Sequence, residues 1–180
     1  MPQAVTHVLI PIILLSIFRH IYQKKTGKRF HLQYVLIGGI AGVIPDLDIP
    51  LFWIMHYFGY SLEQIHRTFL HTIFIPIIFL ILALLAKYTI TKKVGRNKLS
   101  ITIILLLCAF GSIMHLILDG TLAGYIKPFY PLSNVQIGTG FPFNLWSDKF
   151  AFLFLATLDG VLFILWILYL EIKHKISDFT

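Results

Sequence analysis

Histidine and aspartate recur in short motifs along a chain that is otherwise apolar. His115 and Asp119 are four residues apart, so on a helix both side chains project from one face. Asp46 and Asp48 are two apart between prolines, where two carboxylates can point to one centre. Neutral imidazole and carboxylate are ordinary ligands of zinc, and of manganese or iron where carboxylates dominate. The candidate metal ligands are His7, Asp46, Asp48, His66, His71, His115 and Asp119.

The composition indicates a membrane protein. Of the 180 residues 57% are apolar and 13% charged, whereas soluble domains are about half apolar and a quarter charged. Fifteen Lys and Arg against eight Asp and Glu give a net charge of +7. In so apolar a chain this charge favours basic loops beside a lipid bilayer and not nucleic acid as partner. The single cysteine, Cys108, excludes an internal disulfide and a cysteine-built zinc site.

Five apolar segments predict the elements that must position the candidate ligands. A spanning helix needs about 20 residues, so we expect an all-α, polytopic integral membrane protein with about five transmembrane helices in a single membrane-embedded domain, 1–180. Pro45 and Pro50 interrupt the second segment, which predicts a helix broken at Pro45-Asp46-Leu47-Asp48. The segments are residues 2–18, 32–55, 66–86, 100–119 and 150–170.

The basic residues predict the orientation. With five crossings, 12 of the 15 Lys and Arg fall on one side, in 19–29, 87–98 and 173–175. The positive-inside rule places these regions and the C-terminus in the cytoplasm, and the N-terminus outside. The rise of a helix then places the candidate ligands near the outer leaflet of the cell membrane. We therefore expect a site that opens to the extracytoplasmic side.

Two residues of this set have candidate catalytic roles. Asp48 fits a bridging ligand or a general base. Arg67 follows His66 and suits a phosphate clamp, because a guanidinium binds phosphate oxygens bidentately. The alternative for Arg67 is a side chain that extends to the membrane interface.

Two further features leave alternatives open. Asp159, inside the last apolar segment, is expected to cap or pair with a neighbouring helix. The aromatic loop from Thr121 to Lys149 is either an interfacial belt or a lid hinged at Gly138 and Gly140.

The order of the motifs resembles the YdjM-type family of membrane-bound metal-dependent hydrolases. The motifs are Thr6-His7, Pro45-Asp46-Leu47-Asp48, His66-Arg67-Thr68-Phe69-Leu70-His71 and His115-Leu116-Ile117-Leu118-Asp119. The resemblance covers positions 6 to 131, with Ile49 where the family commonly has histidine. It implies a hydrolase, and the depth of the site favours a phosphoester or another lipid-borne ester as substrate.

Two other classes of protein fit the same residues. The His/Asp set could bind metal for structure or move ions without catalysis, or its side chains could only join helices. A transporter requires polar residues through the cytoplasmic half of the bundle, but residues 73–86 and 101–112 are almost wholly apolar. This pattern counts against transport.

The orientation can be tested with epitope tags. We expect tags inserted between Arg19 and His31, or added after Thr180, to be accessible only from the cytoplasm, because the basic regions lie there. A tag near residue 137 should be accessible from outside intact cells. A tag near 137 that is protected in intact cells would reverse the orientation and move the site to the cytoplasmic face.

Overall fold

The computed structural model describes residues 4–89, 93–95 and 98–174 and is mostly helical. The only strands in this part of the chain form a two-stranded antiparallel hairpin, β1 (Lys93–Val94) and β2 (Leu99–Ser100). A short 3₁₀ turn, Pro45–Leu47, precedes α3, and a π-helical turn, Asp119–Ala123, follows α6. The helices are α1 (Ala4–Thr26), α2 (Leu32–Ala41), α3 (Asp48–His56), α4 (Leu62–Ile65), α5 (Phe74–Thr89), α6 (Ile101–Leu118) and α7 (Asp148–His174).

Three helices of the described chain are long and apolar enough to cross a membrane: Ala4–Thr26, Ile101–Leu122 and Asp148–Ile172. A fourth span is formed if Leu32–Ala41 and Pro45–His56 count as one helix bent by 52°. Helix α5 is apolar but has only 16 residues, fewer than the roughly 20 that a span needs. The predicted helical membrane architecture is confirmed in this coarser form, and the count of about five spans is not.

The break in the second apolar segment lies at Pro45, as predicted, but Pro50 has no part in it. Pro45 starts the 3₁₀ turn, and α3 begins directly after it at Asp48. Pro50 is the third residue of α3. In the first turn of a helix the backbone N–H has no intrahelical partner, so proline costs little there. The break is therefore confined to the residues between α2 and α3.

Two predicted helix boundaries were wrong. The third apolar segment becomes helical only at Phe74, because residues 66–73 form turns. In these turns the Thr68 and Thr72 hydroxyls donate hydrogen bonds to backbone carbonyls three residues earlier, which competes with regular helix. The first helix extends to Thr26, so Arg19 lies in α1 and not in a loop.

The bundle has two chemically different ends. At one end, Nε of Arg19 donates to the Phe30 carbonyl, and the backbone N–H of Ser100 donates to the Tyr34 hydroxyl. At the other end, α1, the α2–α3 break and the last turn of α6 meet around His7. Of the basic residues that predicted the orientation, Lys92, Arg96 and Lys175 lie outside the described residues.

Close packing of α1, α2 and α6 requires two glycines. A Cβ atom at Gly42 would lie 2.1 Å from the carbonyl oxygen of His7. One at Gly111 would lie 2.6 Å from the carbonyl carbon of Ala41. Residues without a side chain let helix backbones approach closely in membrane proteins. These contacts fix the distance between His7 and the end of α6.

Asp159 pairs α7 with α1, as predicted. Its Oδ1 accepts hydrogen bonds from the backbone N–H of Thr6, at 2.9 Å, and from the Thr6 hydroxyl. The N–H of Thr6 is among the first four of α1, which have no partner inside the helix. Asp159 therefore caps the start of α1 from a neighbouring helix and anchors the residue before His7.

Candidate metal centre

All seven candidate ligands meet at one end of the bundle. His7 lies in the first turns of α1, and Asp46 and Asp48 lie at the α2–α3 break. His66 and His71 come from the turns before α5, and His115 and Asp119 lie at the C-terminal end of α6. The side chains form three groups whose ligand atoms lie within 4.8 Å of one another. The groups are His7, His115 and Asp119; Asp46, His71 and His115; and Asp48, His66 and His71.

Four side chains define the centre of this arrangement. The Nε2 atoms of His71 and His115 are 3.1 Å apart. Oδ1 of Asp46 lies 3.5 Å from Nε2 of His71 and 3.7 Å from Nε2 of His115. Oδ2 of Asp119 likewise lies 3.5 Å from Nε2 of His71 and 3.7 Å from Nε2 of His115. His7 adjoins this set, with Nε2 3.3 Å from Oδ1 of Asp119. We call these five residues the central cluster.

Backbone contacts determine which nitrogen of His115 faces the cluster. Nδ1 of His115 lies 2.7 Å from the carbonyl oxygen of Gly42. A carbonyl only accepts hydrogen bonds, so Nδ1 of His115 must be the donor. In neutral His115 the lone pair then sits on Nε2, which points to the centre.

Asp48 holds His66 and His71 from behind the central cluster. Its Oδ1 accepts a hydrogen bond from Nδ1 of His66 at 2.9 Å, and Oδ2 accepts one from the backbone N–H of Arg67 at 3.1 Å. Oδ2 also lies 3.1 Å from Nδ1 of His71. A carboxylate at Nδ1 favours the tautomer with its lone pair on Nε2, the atom of His71 that faces the cluster.

The central cluster fits a divalent cation. Ligands about 2.0–2.1 Å from a tetrahedral zinc ion are about 3.3 Å from one another, close to the 3.1–3.7 Å observed. With both Nε2 atoms unprotonated, the four central side chains present only acceptor atoms. His71, His115 and Asp119 are buried, and Oδ2 of Asp119 accepts no hydrogen bond from the described residues. A bound cation would satisfy all of these atoms together.

Arg67 borders the cluster through a left-handed backbone conformation. Its φ of 59° is uncommon for a residue other than glycine. This turn directs the backbone N–H to Asp48, while Nε of the side chain lies 3.4 Å from Oδ2 of Asp119. Arg67 therefore places a positive charge at the edge of the cluster, as a phosphate clamp would need.

A cavity of about 970 Å³ opens beside the cluster. Its lining includes His7, Asp46, Arg67 and Asp119. Asp48 is almost fully buried and is not among the lining residues. The geometry favours a positioning role for Asp48 over that of a general base, because a base must reach water or substrate.

The loop between α6 and α7 closes part of this cavity. Residues Ile126 and Ile137 pair through two backbone hydrogen bonds, and the N–H of Thr139 donates to the Gly120 carbonyl. A Cβ at Gly138 would lie 2.1 Å from the Gly124 carbonyl oxygen. These contacts hold the middle of the loop, including Gly138, against the end of α6.

Comparison with known proteins identifies the family. The family model described as YdjM inner membrane protein matches residues 1–176. This chain belongs to the YdjM inner membrane protein family. The predicted family resemblance is therefore confirmed, and with the apolar helices it supports a membrane location. No curated protein and no solved structure matches the chain significantly.

Sequence reasoning did not identify the Gly42 carbonyl as a partner of the cluster. A glycine carbonyl carries no sequence signal for such a role, and Gly42 and His115 are 73 residues apart. The positioning role of Asp48 had a partial signal in its proline-bounded pair with Asp46. Their different directions became visible only in the structure.

Removal of ligands from the central cluster should remove bound metal. We expect His115→Ala, His115→Gln and Asp119→Ala each to lower the metal content of purified protein to less than about a tenth, because one ligand of a small set is lost. The measurement is elemental analysis, with circular dichroism to verify folding. His56→Ala is the matched control, since the His56 ring contacts the Tyr60 carbonyl and Phe52 on α3. Folded ligand variants with full metal content would contradict the assignment.

Loss of the Asp48 charge should weaken metal binding without abolishing it. In Asp48→Asn one amide oxygen replaces two carboxylate oxygens, so His66 and His71 compete for a single acceptor. Loss of a residue that orients a ligand typically costs 10–100-fold in metal affinity, and we expect a zinc dissociation constant raised by about that factor. Asp148→Asn, at the start of α7, should leave the constant unchanged. An unchanged constant in Asp48→Asn would refute the positioning role, and complete metal loss would make Asp48 a direct ligand.

Proposed function

We propose that this protein is a membrane-bound metal-dependent hydrolase that cleaves a phosphoester or another lipid-borne ester. The proposal rests above all on the position of the central cluster, where buried acceptor atoms border a cavity large enough for an organic substrate. A catalytic metal keeps a position that water or substrate can reach, whereas protein ligands fill the coordination sphere of a structural metal. The open cavity therefore favours catalysis over a structural metal.

The metal would be held by the central cluster, with zinc as the first candidate and manganese or iron as alternatives. A divalent cation in such a site polarises the scissile group and lowers the pKa of bound water toward about 7. His71 and His115 hold their Nε2 atoms toward the centre because Asp48 and Gly42 occupy their Nδ1 sides. Asp46 and Asp119 supply negative charge, which selects a cation and repels free anions.

Arg67 is proposed to bind the phosphoryl oxygens of the substrate. Arg67 lines the cavity, and its side chain is about a quarter exposed. A guanidinium offers planar, paired donors that match phosphate oxygens. With Nε near Asp119, the fork is held at the border between cluster and cavity. Arg67 would thus orient a phosphoester with its phosphorus toward the cluster.

The remaining lining suits a substrate that carries a lipid chain. Leu47, Ile49 and Pro50 contribute apolar surface from the α2–α3 break, and Phe152 and Leu155 contribute it from α7. These residues line the same cavity as the charged cluster, so polar and apolar parts of one molecule could be bound together. We place the site on the extracytoplasmic side, on the strength of the distribution of basic residues.

A structural metal site or an ion pathway is the competing proposal. The described ligands all lie at one end of the bundle, and the other end has a different set of contacts, around Arg19 and Tyr34. An ion pathway would need polar groups that connect the two ends. The activity test below separates catalysis from both alternatives.

Replacement of Arg67 by lysine should reduce phosphoester hydrolysis while metal is retained. Lysine keeps the charge but loses the planar fork, so we expect kcat/KM for a chromogenic phosphodiester to fall about 10–100-fold, the range for lost hydrogen bonds to a charged group. The assay uses purified protein in detergent, with a carboxylic ester as second substrate and chelator treatment as the metal control. Arg19→Lys, at the other end of the bundle, is the matched control.

The outcomes distinguish the candidate functions. Chelator-sensitive hydrolysis that falls in Arg67→Lys and persists in Arg19→Lys supports the proposed enzyme. Equal activity in both variants would refute the clamp. Full metal occupancy with no hydrolysis of either ester class would refute the proposed hydrolase and favour a structural metal.

A further inference from the structure

The cavity extends beyond the central cluster to a second polar region. This region is formed by Tyr125, Gln136 and Asn144 of the α6–α7 loop and by Asp148 at the start of α7. None of these residues contributes to the groups that could hold a metal ion. We call them the loop subsite. Their polar groups line the same space as Arg67 and the metal ligands.

The side chains of the loop subsite offer hydrogen-bond acceptors. Nδ2 of Asn144 donates to the Thr139 carbonyl at 2.7 Å and lies 3.5 Å from the Tyr125 hydroxyl. Because the neighbouring carbonyl can only accept, the amide group of Asn144 is oriented, and its Oδ1 is left as an acceptor. Asp148 adds an exposed carboxylate, which accepts hydrogen bonds and carries negative charge. Asn144 Oδ1 and the Asp148 carboxylate would therefore pair with donor groups of a ligand.

The wall of the cavity along α7 is longer than a bare phosphate. Asp148, Phe152 and Leu155 lie on one face of α7, and the seven residues from Asp148 to Leu155 correspond to about 10 Å. Leu155 is one turn from Asp159, which bonds the residue before His7. A ligand that occupies the cavity along this length of α7 therefore extends well past a phosphoryl group.

The charges of the two regions are complementary to a dipolar ligand. Arg67 and a bound cation would attract an anion at the cluster, whereas Asp148 would attract a donor or a cation at the loop subsite. Apolar surface from Ile49 and Phe152 lies along the same cavity. The chemistry of all three surfaces fits an amphiphile with an anionic phosphodiester and a polar headgroup.

We propose that the loop subsite selects a lipid phosphodiester whose headgroup ends in hydrogen-bond donors, either ammonium N–H or hydroxyl groups. The inference rests on the proposed function, because it takes the central cluster as the place of the phosphodiester. It adds to that function a headgroup specificity determined by Asn144 and Asp148. A choline headgroup, which has the positive charge but no donor, would be disfavoured.

The test compares three short-chain lipids with identical acyl chains and phosphoethanolamine, phosphoglycerol or phosphocholine headgroups. Dissociation constants are measured by calorimetry with the metal-containing protein in detergent, and the released headgroup is followed in parallel by mass spectrometry. We expect the ethanolamine or the glycerol lipid, or both, to bind about 5–10-fold more tightly than the choline lipid, the gain from donors to a charged or amide acceptor.

Variants of the loop subsite test which residue determines each headgroup preference. Asp148→Asn keeps the size of an exposed side chain and should reduce the preference for the ethanolamine lipid to less than about twofold. Asn144→Ala should do the same for the glycerol lipid. Asn134→Ala and Ser147→Ala change neighbouring loop residues that do not line the cavity, and should preserve both preferences.

The results separate this inference from the proposed hydrolase. Equal dissociation constants for the three lipids, or preferences that persist in both subsite variants, would overturn the loop subsite even if hydrolysis occurs. Headgroup-selective binding without release of any headgroup would support the subsite and count against the hydrolase. No binding of any of the three lipids would overturn the inference, while hydrolysis of the soluble phosphodiester tests the enzyme separately.

Discussion

The carboxylates of Asp46 and Asp119 each lie 3.5–3.7 Å from two imidazole nitrogens that are 3.1 Å apart, at a place where three of the four side chains are almost fully buried. Such acceptor groups repel one another, and in a medium of low dielectric water cannot offset that repulsion. With both imidazoles neutral, the single positive charge of Arg67 at the border leaves negative charge in excess. A divalent cation would remove this imbalance, and the contacts of Gly42 and Asp48 hold the two imidazoles in this unfavourable proximity.

Several parts of the backbone adopt an unusual geometry around this arrangement. Helices α1, α2 and α6 approach so closely that Gly42 and Gly111 leave no room for a Cβ atom. Arg67 adopts a left-handed conformation that costs roughly 1–2 kcal/mol for an L-residue. This backbone geometry lets the Gly42 carbonyl orient His115 and lets the N–H of Arg67 hold Asp48. The least regular parts of the backbone therefore lie where the site is, as expected when local geometry is shaped by function.

The sequence predicted which polar side chains lie together better than it predicted their arrangement. The four-residue spacing of His115 and Asp119 is a local property of one helix, so it could be predicted. Convergence at one end of the bundle also followed, because helix rise converts sequence position into depth. The contact of Asp159 with Thr6 spans 153 positions, and no local pattern specifies which helix a carboxylate in an apolar segment will contact. The turns at 66–73 were missed because apolar composition alone does not distinguish a helix from a packed turn.

The break between α2 and α3 connects the chemistry of the site with its access. Asp46 and Asp48 lie on opposite sides of the same imidazole, with Asp46 3.5 Å from Nε2 and Asp48 3.1 Å from Nδ1 of His71. Asp46 thereby joins the central cluster, while Asp48 orients the ring from behind. The intervening Leu47 lines the cavity together with Ile49 and Pro50. Irregular backbone at membrane depth is tolerated where protein covers it or where it lines a cavity, and here it does both. The same few residues at the break thus contribute one candidate ligand, orient a second one and form an apolar wall of the cavity, which explains why the break lies at the candidate ligands.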